Sequence, residues 1–79
     1  MKASATIFGP DDREQEIWFE YEVTEKSKGV LVEILSILTP MLFRPTDLYN
    51  DLQTALAKIL NEEIWNVEVK IEEEEMMFI

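Results

Sequence analysis

The chain has 79 residues, 47% of them hydrophobic, with two glycines and three prolines, which is the composition of one folded domain rather than a disordered tail. It has no cysteine and no histidine, so disulfides, Cys/His zinc sites and thiol chemistry are excluded. Seventeen Asp and Glu against seven Lys and Arg leave a formal net charge of −10. Such a chain repels nucleic acid and anionic membrane and attracts basic surfaces.

In chain order, residues 2–8 (KASATIF) alternate, with Ala3, Ala5 and Ile7 on one side and Lys2, Ser4, Thr6 and Phe8 on the other. GPDDREQ follows as a polar, turn-rich connector. EIWFEYEVT then alternates strictly: Ile17, Phe19, Tyr21 and Val23 face one way, Glu16, Trp18, Glu20 and Glu22 the other. Period two with aromatic and β-branched enrichment predicts a strand, paired with the first in an antiparallel hairpin.

KSKGVLVEILSILTP is strand-like by composition. However, Gly29, Glu33, Ser36 and Pro40 fall at i, i+4, i+7 and i+11, one stripe of a helix. A regular strand would send Glu33 and Ser36 to opposite faces. The stripe therefore predicts a helix over roughly residues 26–39, ended by Pro40. PTDLYNDLQTALAKILN predicts a second helix, with Thr46 as N-cap, Asp47 in the first turn and Asn61 closing the end. Leu48, Leu52, Ala55, Leu56, Ile59 and Leu60 form its apolar face. IWNVEVKIE alternates again, with Trp65, Val67, Val69 and Ile71 inward.

The predicted assembly is a single α+β domain over residues 1–79, β-β-α-α-β. It has two layers: an antiparallel sheet of three to four strands, and both helices on one face. The tail EEEEMMFI either extends the last strand or turns back as a fourth. No stretch is apolar enough for a signal peptide or a membrane span, so the expected location is the cytoplasm, that of the host cell if the chain is phage-encoded.

Catalysis finds little support in this inventory. There is no histidine for acid–base work and no partner for a Ser nucleophile, and Gly9 and Gly29 lie too far apart to form a phosphate loop. No cofactor is expected. Glu72–Glu75 could offer oxygen ligands, but no glycine turn or Asp/Asn spacing would wrap the chain around an ion, and a solvated segment guarding MMFI is the better reading.

The arrangement of the acids is more informative. Glu16, Glu20, Glu22, Glu68 and Glu72 project from the predicted strands to the face away from the helices, and Glu73, Glu74 and Glu75 continue the row. Asp11, Asp12 and Glu14 extend it through the first loop. Same-face strand residues lie about 6–7 Å apart, and nucleic-acid phosphates advance about 3.4 Å along the axis. A stiff plate of this kind suits a Lys/Arg groove. Trp18 shares that face and is a candidate anchor. A merely solvated sheet face is the simpler alternative, although Lys70 is the one cation among these strand carboxylates. The apolar predicted first helix and its connector supply a candidate homodimer surface at Leu31, Leu35, Met41, Leu42 and Phe43.

A short acidic chain with EIWFEYEVTE and VEVKIEEEE on its sheet, paired helices and no catalytic residues resembles the small phage-encoded inhibitors of the anti-CRISPR type. The resemblance is to a functional class whose members have unrelated folds. It implies blockade of the nucleic-acid or recruitment surface of a CRISPR effector, without turnover. An antitoxin or immunity protein, or a homo-oligomeric assembly subunit, would share much of the same composition.

Overall fold

The computed structural model describes residues 1–71. Four strands and one long helix follow one another: β1 (Lys2–Phe8), β2 (Glu14–Glu25), β3 (Val30–Ile37), α1 (Leu48–Leu60), a 3-10 turn at Ile64–Asn66, and β4 (Val67–Ile71). The sheet order is β1-β2-β3-β4, antiparallel except for the parallel pair β3–β4. The class is α+β as expected, with β-β-β-α-β in place of β-β-α-α-β. The expectations for Glu72–Glu75 and for MMFI lie outside the described residues.

The first hairpin follows its sequence pattern. β1 and β2 pair from Lys2↔Glu20 to Phe8↔Glu14. The turn between them places Asp11 and Asp12 at φ 57° and 59°, the left-handed pair that a tight hairpin turn needs and that Asp tolerates better than most residues. Lys26–Gly29 makes the second turn, with the Lys26 N–H donating to the Gly29 carbonyl at 3.1 Å. Gly29 has φ +79°, and a Cβ there would run into the backbone carbonyl of Asn66. Only glycine meets both demands.

The helix predicted over residues 26–39 is a strand. Its register shows what made it look helical. Tyr21 pairs with Ile34 and Glu20 with Ser36, so Leu35 is an extra residue opposite no partner, a β-bulge. The bulge resets the alternation: Val30, Val32 and Ile34 face the core, and Ile37 then returns to that side opposite Phe19. Glu33 and Ser36 consequently share the outer face at a spacing of three. In an unbulged strand they could not, and the same spacing is what a helix would give.

The second predicted helix is present. Asp47, not Thr46, is its N-cap, accepting from the Asn50 N–H at 3.1 Å. Asn61 ends the helix in the left-handed conformation, its N–H reaching the carbonyls of Ala57 and Lys58. Thirteen residues of helix return the chain about 20 Å to the start of β3. The next strand must then run parallel to β3, and this is why the sheet is mixed. α1 approaches β1 and β4 more closely than the central strands, so the sheet curls around it. Between them Ile7, Ile17, Phe19, Val32, Ile34, Leu52 and Leu56 are fully buried.

Trp65, expected inside, is 75% exposed. The 3-10 turn interrupts the alternation before β4 begins, so Val67 and Val69 point inward while Trp65 does not.

Candidate functional site

Among the described residues one helix packs on one face of the sheet and no other element packs on the opposite face. Along β2 it carries Glu14, Glu16, Trp18, Glu20 and Glu22; from β3 come Leu31, Glu33 and Leu35, and from β4 Glu68 and Lys70. β1 adds Lys2, Ser4, Thr6 and Phe8. Asp11 and Asp12 lie exposed at the hairpin tip next to Glu14. The structure thus places Glu16, Glu20, Glu22 and Glu68 on one face, with Glu72 outside the described residues, and it adds Glu33, which the helical reading had hidden. Glu33 reaches this face by ordinary strand alternation between Val32 and Ile34, and it was hidden only because the Glu33–Ser36 spacing across the bulge at Leu35 reads as helical.

The face is acidic but not uniformly so. Lys2 is the register partner of Glu20, and Lys70 that of Glu33. Lys26 Nζ meets Glu68 Oε1 at 2.7 Å with both side chains largely exposed, a pair worth about 1 kcal/mol at most. Glu22 and Glu33 are directly opposed like charges, which cost a few tenths to about 1 kcal/mol. Excess negative charge is therefore concentrated along Glu14, Glu16 and Glu22, and Glu68 contributes less than its position suggested.

Trp18 sits in the middle of this row, 48% exposed. Its backbone is held on both sides of the peptide: its N–H donates to Thr39 Oγ1 at 2.9 Å, and its carbonyl accepts from the Leu38 N–H at 2.8 Å. Gln15 extends this restraint, its amide donating to the Pro40 carbonyl at 2.8 Å and accepting from the Leu42 N–H at 3.0 Å. The connector after β3 is thereby pinned along β2, and Trp18 projects from a rigid strand. Gln15 was not singled out in the sequence, where it reads as one more polar connector residue.

The candidate homodimer surface does not assemble. Met41 is 1% exposed and Phe43 packs on the same core, its ring against Gly9. Both fill the end of the monomer beneath the connector. Leu31 and Leu35 lie on the outer sheet face because their segment is a strand, and Leu42, 71% exposed, stands apart in the connector.

Asp51 is the one buried acid among the described residues. Its Oδ2 accepts from the Phe8 N–H at 3.0 Å, tying α1 to the end of β1. Burial pushes its carboxyl above the usual value; the Phe8 N–H pulls it back and nearby Asp47 pushes it further up. This is a structural clasp. Among the described residues no cluster of three or more Asp or Glu could hold a metal ion, and no helix is long and apolar enough to cross a membrane.

No protein-family model matches the chain, and neither a curated protein nor a solved structure matches it.

Proposed function

We propose that this protein is a non-catalytic inhibitor of the anti-CRISPR kind, which covers a basic, nucleic-acid-handling surface of a target protein with its helix-free sheet face. One observation carries the reading. Among the described residues no element packs on that face, yet it retains an unfavourable Glu22–Glu33 pair and a row of β2 carboxylates about 6–7 Å apart around a rigidly held, half-exposed tryptophan. A surface needed only for solubility gains nothing from opposed like charges; a surface that meets lysines and arginines does. Trp18 supplies the apolar anchor such an interface needs at its centre.

The test is capture of partners from host lysate by the tagged chain, with washes at rising salt. A parallel capture uses Glu16→Lys/Glu20→Lys, and a control uses Glu62→Lys/Glu63→Lys in the segment after α1. The expected result is a basic protein that elutes as salt rises, is lost with the first variant and is retained by the control. The captured protein should also lose its nucleic acid when the inhibitor is added. A partner that binds equally well to the face-reversed variant sinks the proposal.

A further inference from the structure

The two edges of the sheet are finished differently. On β4, side chains of α1 occupy two of the outward backbone groups: Tyr49 Oη accepts from the Val69 N–H at 3.3 Å, and Gln53 Nε2 donates to the Val67 carbonyl at 2.8 Å. On β1 only the last residue is treated this way, Phe8 giving its N–H to Asp51 and receiving the Thr46 N–H at 2.9 Å. Those bonds show that Phe8 turns its backbone groups away from β2. By strand alternation Lys2, Ser4 and Thr6 do the same. Among the described residues no hydrogen bond reaches the outward N–H and C=O groups of these three. Nor does β1 carry the proline or bulge that usually blunts an edge.

We infer that β1 pairs with β1 of a second copy of this chain, antiparallel and two-fold symmetric about Ser4. This inference is independent of the proposed target. In that register Ser4 exchanges both backbone bonds with the partner's Ser4, and Lys2 does so with the partner's Thr6. Every open group is used, and the pairing stops where Phe8 is already closed.

The side chains fit the same register. Trp18 is the cross-strand neighbour of Ser4, so two tryptophans flank a pair of small serines at the axis and have room to lean over them. Lys2 lies between its own Glu20 and, across the partner's Thr6, the partner's Glu16.

Along the β1 edge itself a groove of about 750 Å³ runs between β1 and α1, lined by Ser4, Thr6 and Phe8 on the strand and by Ala55, Lys58 and Ile59 on the helix. Ile59 is 47% exposed. It lies about 12 Å along the helix from Asp51, and Ser4 lies about 13 Å along the strand from Phe8. Ile59 is therefore level with the axis and would face the partner's Ile59. Short chains gain most from such shared burial.

The test is sedimentation equilibrium of the intact chain over a wide concentration range, alongside Ser4→Pro and Ser4→Lys. The expected species is a dimer of the 9.3 kDa chain. Ser4→Pro removes two intersubunit bonds while leaving the β1–β2 ladder intact, and should weaken association about thirtyfold. Ser4→Lys opposes two like charges at the axis and should weaken it about fivefold. Circular dichroism verifies that each variant is folded.

In a Trp65→Phe background the Trp18 emission should shift to the blue as the dimer forms. Salt should strengthen the dimer by screening two net charges of −10, whereas it weakens the proposed contact with a basic target. A strict monomer at millimolar concentration overturns the inference. So does a dimer unaffected by either variant, or one that appears only after residues 72–79 are deleted, which would assign the edge to the chain's own tail.

Discussion

The two faces of one sheet obey different rules. Beneath α1, alternate residues of every strand are apolar and almost fully buried, and nearly all the cohesion of the domain lies there. On the other face the same strands carry carboxylates and lysines, whose removal from water would gain little, around one half-exposed tryptophan. The stability of the molecule is thus set on one side, and the other is free to hold charges in an arrangement that stability alone would not select. Binding surface and core are separated by the thickness of a single strand, the period-two geometry sending successive residues to opposite jobs.

Substitutions on the two faces should separate just as sharply. The largest effect is expected at Phe19, fully buried and packed against Tyr21 with ring centroids 5.7 Å apart. Phe19→Ala should cost about 3–5 kcal/mol. That is comparable with the whole stability of a domain this size, roughly 4–12 kcal/mol. Urea titration should show a mostly unfolded population, and a well-folded variant would mean that the helix-covered face is not the seat of stability.

Asp51 comes next. Asp51→Ala leaves the Phe8 N–H without its partner and should cost about 2 kcal/mol. Asp51→Asn keeps an acceptor and should stay within about 0.5 kcal/mol of the parent at neutral pH. The pH dependence has a definite sign. Burial raises the carboxyl above its unfolded value of 3.8, so the folded chain holds this proton more tightly than the unfolded one. The proton-linked part of Asp51's contribution therefore grows as pH falls through its folded pKa toward 3.8 and vanishes well above it, where the hydrogen bond to the Phe8 N–H remains. The stability difference between the parent chain and Asp51→Asn, followed over that window, should move in the parent's favour with acid; a flat difference would refute the burial argument.

On the uncovered face the effects on stability should be small and those on association large. Trp18→Ala should change the urea midpoint by less than about 1 kcal/mol equivalent, while impairing both target capture and the concentration-dependent Trp18 signal. The smallest change has the opposite sign. Glu22→Lys turns the opposed pair with Glu33 into an attractive one and should stabilise the fold by about 0.5 kcal/mol. If it also leaves target binding intact, the carboxylate row is ordinary surface.

How far the sequence could be read follows from which residues repeat regularly. The β1–β2 hairpin is legible because alternation runs unbroken from Lys2 to Phe8 and through β2 as far as Val23. The helix α1 is legible because its apolar face and its closing Asn61 agree; only the N-cap shifts, from Thr46 to Asp47. β3 was misread because a single inserted residue, Leu35, converts a spacing of two into a spacing of three, and periodicity cannot distinguish that from a turn of helix. Trp65 was misplaced because a 3-10 turn changes the side-chain direction just before a strand that otherwise alternates. Of the candidate site, the β2 acids and Trp18 were visible in advance. Glu33 was not, and neither was the pairing of Lys26 with Glu68, which joins residues 42 apart.

By itself, the sequence determined that this is an acidic α+β domain without thiol or imidazole chemistry, that its first two strands form a hairpin, and that residues 48–60 are helical. Those are consequences of composition and local period, which a chain carries wherever it goes. Tertiary structure alone decided that the third segment is a bulged strand in the sheet, that β4 runs parallel to it, and that, among the described residues, α1 covers outward groups of Val67 and Val69 on β4 while those of Lys2, Ser4 and Thr6 on β1 have no partner. These depend on hydrogen-bond partners far away in the chain, and a backbone donor takes its partner from whatever the fold places beside it.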